Sequence, residues 1–458
     1  MAKTMAETGD TALPCSMQAA GLSKRAVMLG PAASVFPHVL AAAWRKRGWD
    51  VQLVTDSPRS EWLPGETPIV GPFDFHAVEK SWPRRIARPW LLRMERALAR
   101  LGRRRFSRVT GKDSPAPWEW RVVDPWLAAS LMSRAALQLR PRFVFGHDAA
   151  VFGTATALCR GVPRILFPWG SDIFNTAESW PGAYLAVRRA LRSVDLVVPS
   201  SATAAEYLVR RFGVRAEKVR PISWGVELDQ LRRADPDLRR QRAAKWGLPP
   251  DALIVQNCRK FKPHYACFTA LDAFLRTAAK CSAAHFLVLG GPNVEVEAAR
   301  ARHEIAAAGM SHRFTLIDRP ISLAEYFELA SISDVFLSLC PRGDMRSASV
   351  LQLAASGAAP VIGDDPEYRV MQRQGFSAKF PDAGSPEQIA AALLEYLASR
   401  ALREQTAREN MDYLRRHEDR ETQMDLLLSL IDQVCRRYDG DARGSQPNDR
   451  ASNDVDEP

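Results

Sequence analysis

The sequence predicts an α/β protein made of two doubly wound domains that face each other across a central cleft. Three observations carry this reading. Short apolar runs alternate with helical patterns from Ala26 onward, the alternation restarts after "VRPISWGVELDQL", and most apolar runs empty into glycine or polar residues. Alternating βα units of this kind give mostly parallel sheets covered on both faces. In such sheets ligands bind at the carboxyl ends of the strands.

Taken in order, "AVMLG" reads as a strand ending at Gly30, "VFPHVLAAAWRKRG" as a helix stopped by Gly48, and "WDVQLVT" as the next strand. "RFVFGHD", "RILFPWGSD" and "DLVVPSS" follow as strands, with "YLAVRRALRS" and "TAAEYLVRRFG" as helices. In the second series "ALIVQNC", "AHFLVLGG", "RFTLID", "VFLSLC" and "APVIG" are strands, and "CFTALDAFLRTAAK" and "LAEYFELASIS" are helices. A boundary falls near residues 222–240. The expected division is a disordered leader over 1–24, a first domain over 25–225 and a second over 226–400. Amphipathic helices over 401–438 could cross back to the first domain, and a polar tail over 439–458 is expected to be unfolded.

With 458 residues, 46% hydrophobic and 25% charged, the chain can build two cores. No stretch reaches the roughly 18 uninterrupted apolar residues of a membrane helix, and the N-terminus lacks the basic start and apolar core of a secretory signal. The seven cysteines are widely spaced without a CxxC pair, which points to reduced thiols in the cytoplasm and away from zinc or a disulfide framework. The net charge of +11 is uneven: nine arginines between Arg84 and Arg105 face Glu95 alone. Trp90, Leu91, Met94, Leu98 and Leu101 recur there at helical spacing. This basic amphipathic helix fits either an anionic membrane surface or a solvated helix packed on its own domain. No nucleic-acid fold signature accompanies the charge.

The segment "CPRGDMRSASVLQLAASGAAPVIGDDPEYR" carries the chemistry. A strand ends at Leu339, the loop holds Asp344, and Ser347 is placed to start a helix that Gly357 and Pro360 end. Backbone N–H groups at Ser347, Ala348 and Ser349 would then form an anion site strengthened by the helix dipole. Arg259 and Lys262, after a strand end of the same domain, are candidate phosphate cations. Gly30 would let a loop approach phosphates or acceptor unobstructed. His147 and Asp148 sit at a strand end facing the cleft and Asp172 follows in "WGSD", with a structural role as the plain alternative for His147 and helix capping for Asp172.

These residues together resemble the retaining GT-B glycosyltransferases of the family-4 type. The carriers are "RKRGWDVQLVT", "PWGSDIF", "VPSSATAAEYL", "SWGVELDQL", "CRKFKPHY", "SISDVFLSLC" and "LQLAASGAAPVIG", in that order over roughly residues 25–400. The family's Glu-x7-Glu pair corresponds to Asp344 and Gln352, and its small turn to Met345, Arg346 and Ser347. Trp169 stands where histidine is common.

The resemblance implies two Rossmann-like domains, a nucleoside-diphosphate sugar on the second and a glycan or lipid-linked glycan acceptor on the first. Asp344 would orient the sugar, Gln352 would bond the ribose hydroxyls, and Glu367 would lie near the donor. Front-face transfer with retention is expected, without metal or other cofactor, because cations and the helix terminus stabilise the leaving diphosphate. The implied setting is cytoplasmic synthesis of a surface polysaccharide, with the Arg84–Arg105 helix as a possible membrane contact. A degenerate, binding-only GT-B protein is the competing expectation. An epimerase would need further acids and histidines in the cleft, and "LGPAAS" is not the G-x-G-x-x-G of a dinucleotide dehydrogenase.

Overall fold

A computed structural model describes residues 24–32, 34–56, 68–70, 123–179, 181–290, 294–341 and 345–444. The Arg84–Arg105 segment and Asp344 lie outside the described residues. The first sheet holds β1 (Arg25–Leu29), β2 (Asp50–Val54), β3 (Ile69–Val70), β4 (Phe143–His147), β5 (Arg164–Phe167) and β6 (Leu196–Val197). Its order is β3-β2-β1-β4-β5-β6, with every pair parallel. The second holds β7 (Leu253–Asn257), β8 (Ala284–Leu289), β9 (Phe314–Ile317), β10 (Val335–Ser338) and β11 (Ala359–Ile362). These are also parallel, in the order β11-β10-β7-β8-β9. The chain reverses its direction of travel across the sheet between β1 and β4, and again between β7 and β10. Those are the crevices where doubly wound sheets take ligands.

The strands were readable because both faces are covered. Every residue of β4, β10 and β11 is buried, so they appear as unbroken apolar runs rather than alternating ones. The helix Val35–Lys46 buries Leu40, Ala41 and Trp44 at helical spacing. The Trp44 ring meets Phe143 and Phe145 edge-on at 5.4 and 5.1 Å, and Gly48 turns the chain away in the left-handed region at φ 80°. The helix Pro236–Lys245 has no counterpart in the sequence reading. It is capped by Asp235 but buries only Ala243, so it shows no apolar stripe.

The last helices reverse the order of the chain in space. Arg420–Gly444 returns to the first sheet, where Met424, Leu427, Ile431, Val434 and Cys435 share a core with Trp44 and Phe143. It continues past residue 438, where the unfolded tail was expected to begin, and Arg142 clamps Asp439 through two bonds of 2.7 and 2.5 Å. That charge-assisted fork gives the polar extension a partner the sequence did not reveal. The outgoing and returning chain segments lie side by side: Val226 N–H donates to Glu418 O at 2.8 Å, and Arg420 N–H to Val226 O at 3.2 Å. Gly225, at φ +65°, permits this approach, because a Cβ there would stand 2.5 Å from Arg420 Cα. Among the described residues no helix is long and apolar enough to cross a membrane.

Leu427 is fully buried in the first domain's core. Leu427→Ala is therefore expected to lower stability by about 2–5 kcal/mol, read as a fall in the urea midpoint. A change below about 0.5 kcal/mol would show that the helix is not part of that core.

Candidate functional site

The second sheet's reversal brings two strand ends together. Arg259, two residues beyond β7, donates from Nε to Ser338 Oγ at the end of β10, at 2.9 Å. Its Nη1 donates to Ser347 Oγ, also at 2.9 Å. One guanidinium thus joins a strand end to the residue preceding the Ala348–Ala355 helix. Tyr265 flanks it, with the ring centroid 5.4 Å from the guanidinium carbon. Ser347 is the N-cap residue, but its hydroxyl does not cap; it lies 3.0 Å from Ser349 Oγ instead. Its N–H, expected to be bare, donates to Tyr368 Oη at 3.3 Å. The open part of the helix terminus is therefore narrower than the sequence implied, and begins at Ala348 and Ser349.

Lys262 lies three residues beyond Arg259, and its Nζ is 3.8 Å from Glu297 Oε2. Gln352 is almost fully buried and lines a small cavity with Phe36, Val39 and Trp224 of the first half and Arg420 and Met424 of the returning helix. It therefore sits where the second domain meets the first half and the returning helix.

Glu367, expected near the donor, has its carboxylate engaged by protein groups. Its side chain is fully buried: Arg346 donates to Oε1 from Nε at 3.0 Å and Nη2 at 2.7 Å, and Thr203 Oγ1 donates to Oε2 at 2.5 Å. Both oxygens are committed to protein, so the residue ties the halves together. Arg346 also donates to Glu418 Oε1 at 2.6 Å, while Ser223 holds Glu418 Oε2. Beside it, Met345 is buried among Ala149, Ile173 and Ala177 of the first domain. It fits there because Gly170 has no side chain; a Cβ would meet Met345 at 3.3 Å.

Asp172 is likewise a structural residue in this arrangement. It is fully buried, and its oxygens accept from the backbone N–H groups of Ala149, Trp169, Gly170 and Ile173 at 2.5–3.1 Å. Four amides leave it no free lone pair for substrate. It fixes the tight turn Ser171–Thr176, a π-helical turn at the end of β5.

The first sheet's reversal is filled by rings. His147 has no exposed surface and packs near Phe145, Phe167, Trp169 and Trp224, the last almost parallel to it at 10° and 6.0 Å. Neither ring nitrogen has a hydrogen-bond partner among the described residues. Gly30 makes room for this cluster rather than for a ligand, since a Cβ would lie 3.0 Å from His147 Cβ and 3.2 Å from Pro37 Cγ. Asp148, beside His147 at the strand end, is a non-glycine residue in the left-handed region at φ 73°. Burial, with Asp172 nearby, raises its carboxyl pKa well above the ordinary range, and such backbone strain gathers at functional sites.

Burial depresses the His147 pKa to about 3, with His38 adding to the effect. The fold therefore favours neutral imidazole. Its contribution is complete above the ordinary value of 6.5 and is lost as pH falls toward 3. From pH 7.5 to 5 this amounts to about 2 kcal/mol. His147→Gln should lose correspondingly less stability than the parent over that interval in urea titrations; equal losses would refute a buried neutral ring.

Comparison with known proteins accords with this geometry. Residues 95–230 match the model of Glycosyltransferase Family 4. No curated protein sequence matches the chain. Sucrose-phosphate synthase from Thermosynechococcus elongatus shares the fold at TM-score 0.66 and 13% identity, over 90% of this chain and 99% of that one. Anabaena HepE, in complex with UDP and glucose, aligns at TM-score 0.64 and 12% identity over 89% and 99%. The α,α-trehalose 6-phosphate synthase of Burkholderia multivorans aligns at 0.60 and 13% over 92% and 100%. The matched segment is similar to Glycosyltransferase Family 4, and the architecture of two doubly wound domains is that of the GT-B fold.

Proposed function

We propose that this protein is a retaining glycosyltransferase that moves a sugar from a nucleoside-diphosphate sugar to a glycan or lipid-linked glycan acceptor. The observation that carries the reading is Arg259, bonded at once to Ser338 and Ser347 where the second sheet reverses. A guanidinium beside a helix N-terminus supplies fixed positive potential for a diphosphate. Anabaena HepE, of similar fold, has been crystallised with UDP-glucose.

In this reading Arg259, Lys262 and the Ala348 and Ser349 amides hold the diphosphate, and Gln352 bonds the ribose. Asp344, outside the described residues, orients the sugar. The bond from the anomeric carbon to the phosphate oxygen breaks as the acceptor oxygen bonds to the same face of that carbon. The acceptor's proton passes to the departing diphosphate, whose charge the same cations and amides stabilise. No cofactor is assigned. His147 shapes the acceptor side through its ring cluster, since a neutral buried imidazole is a poor proton donor. The setting is cytoplasmic polysaccharide synthesis, with Arg84–Arg105 resting on an anionic membrane face; anionic liposomes should retain the protein at low salt.

One observation favours a binding-only protein: Met345 and Arg346 fill the turn where the resemblance places small residues. Asp344→Ala separates the two readings. It should abolish sugar transfer while leaving UDP, GDP or ADP binding within about threefold. Arg259→Ala should instead weaken binding of the preferred nucleotide about 10- to 100-fold, as expected for charge-assisted bonds. Thermal shifts against the three nucleotides identify the preferred base. A chain that binds none of them contradicts the transferase reading.

A further inference from the structure

A second cavity lies at the opposite end of the second sheet, beside the amino ends of its strands. It is an open space of about 420 Å³ at the start of β7, bordered by Leu253, by Asp334 just before β10 and by Gly357 before β11. At the usual rise per residue, six residues of extended chain place it about 20 Å from Arg259.

Three segments bring five arginines to its wall: Arg233, Arg239 with Arg240, and Arg400 with Arg403. Asp251, Asp334 and Glu404 are the carboxylates of the lining, and Arg240 is also paired with Asp237 just outside it, leaving an excess of one positive charge. Two of those carboxylates are already engaged. Asp334, 4% exposed, is clamped by Arg233 and by Arg239 at 2.7 Å, and accepts from Ile254 N–H at 2.8 Å. Glu404 pairs with Arg400 on the same helix at 2.7 Å.

Arg403 is the remaining half-buried cation. Its Nη1 donates to the carbonyls of Tyr396 and Leu397 at 2.5 and 3.1 Å, and it makes no ion pair among the described residues. Burial lowers its pKa; Asp334 opposes that, while Arg233 and Arg400 add to it. A desolvated guanidinium facing like charges is stabilised by an anion, and its planar fork suits phosphate oxygens.

We propose that this cavity is a second anion site, separate from the cleft, which takes a small molecule bearing a phosphate group. Its volume falls within the range of small-molecule sites, and its charges converge on a concave wall rather than spread over a flat surface. The helix Ala348–Ala355 runs from the cleft toward this wall, where Arg233 Nη1 reaches Gly357 O at 3.5 Å.

Isothermal titration of the full chain with pyrophosphate tests the assignment. Binding that survives Arg259→Gln but weakens at least tenfold in Arg403→Gln is expected, with UDP affinity unchanged in the latter. A single class of site, lost with Arg259→Gln and indifferent to Arg403→Gln, would overturn it. Should Arg403→Gln fail to fold, Arg240→Gln replaces it, because that side chain is 58% exposed. At least threefold weakening is then expected, and no weakening refutes the site.

Discussion

The arrangement depends on one guanidinium. Arg346 lies between two carboxylates with no exposed surface, Glu367 and Glu418. Charges taken this far from water are tolerable only when paired and fully hydrogen-bonded. Two acids against one base leave a negative charge to be dispersed. Thr203 donates to Glu367, Ser223 to Glu418, and Tyr413 to Glu418 at 3.3 Å. Burial raises the Glu418 carboxyl pKa, while Arg346 acts most strongly against that rise. Thr203 belongs to the first domain, Ser223 to the connection, Glu367 to the second domain and Glu418 to the return, so one buried network fixes all four.

That network explains the loop beside it. Small residues at 345 and 346 would leave the turn free to move. Here Met345 is lodged in the first domain's core and Arg346 is held by two acids. The same short segment leads directly into Ser347 and the helix whose terminus Arg259 approaches. The helix terminus beside Arg259 and the contact between the domains are therefore consecutive in the chain, only a few bonds apart.

The strands and their order along the chain were legible because doubly buried parallel strands are written as apolar runs. The meeting of Arg259 with Ser347 was legible too, through the rule that ligands collect at strand ends. What remained hidden was set by distant partners. Glu367 looks like any acid in a polar loop until Thr203, 164 residues away, is placed against it. Asp172 has the same appearance as a catalytic acid or as an amide clamp, and only four converging N–H groups decide between them. The helix Pro236–Lys245 was missed because a mostly exposed element that buries one alanine carries almost no periodic signal.

The returning helix has a consequence for how the polypeptide matures. Met424, Leu427, Ile431, Val434 and Cys435 complete the hydrophobic centre that begins with Ala26 and Met28. During ribosomal synthesis the leading half emerges first yet lacks this covering, whereas the later half can close around β7 to β11 before it. The first core is thus finished only by residues that follow the second sheet in the chain, so its completion depends on Arg420–Gly444 being made.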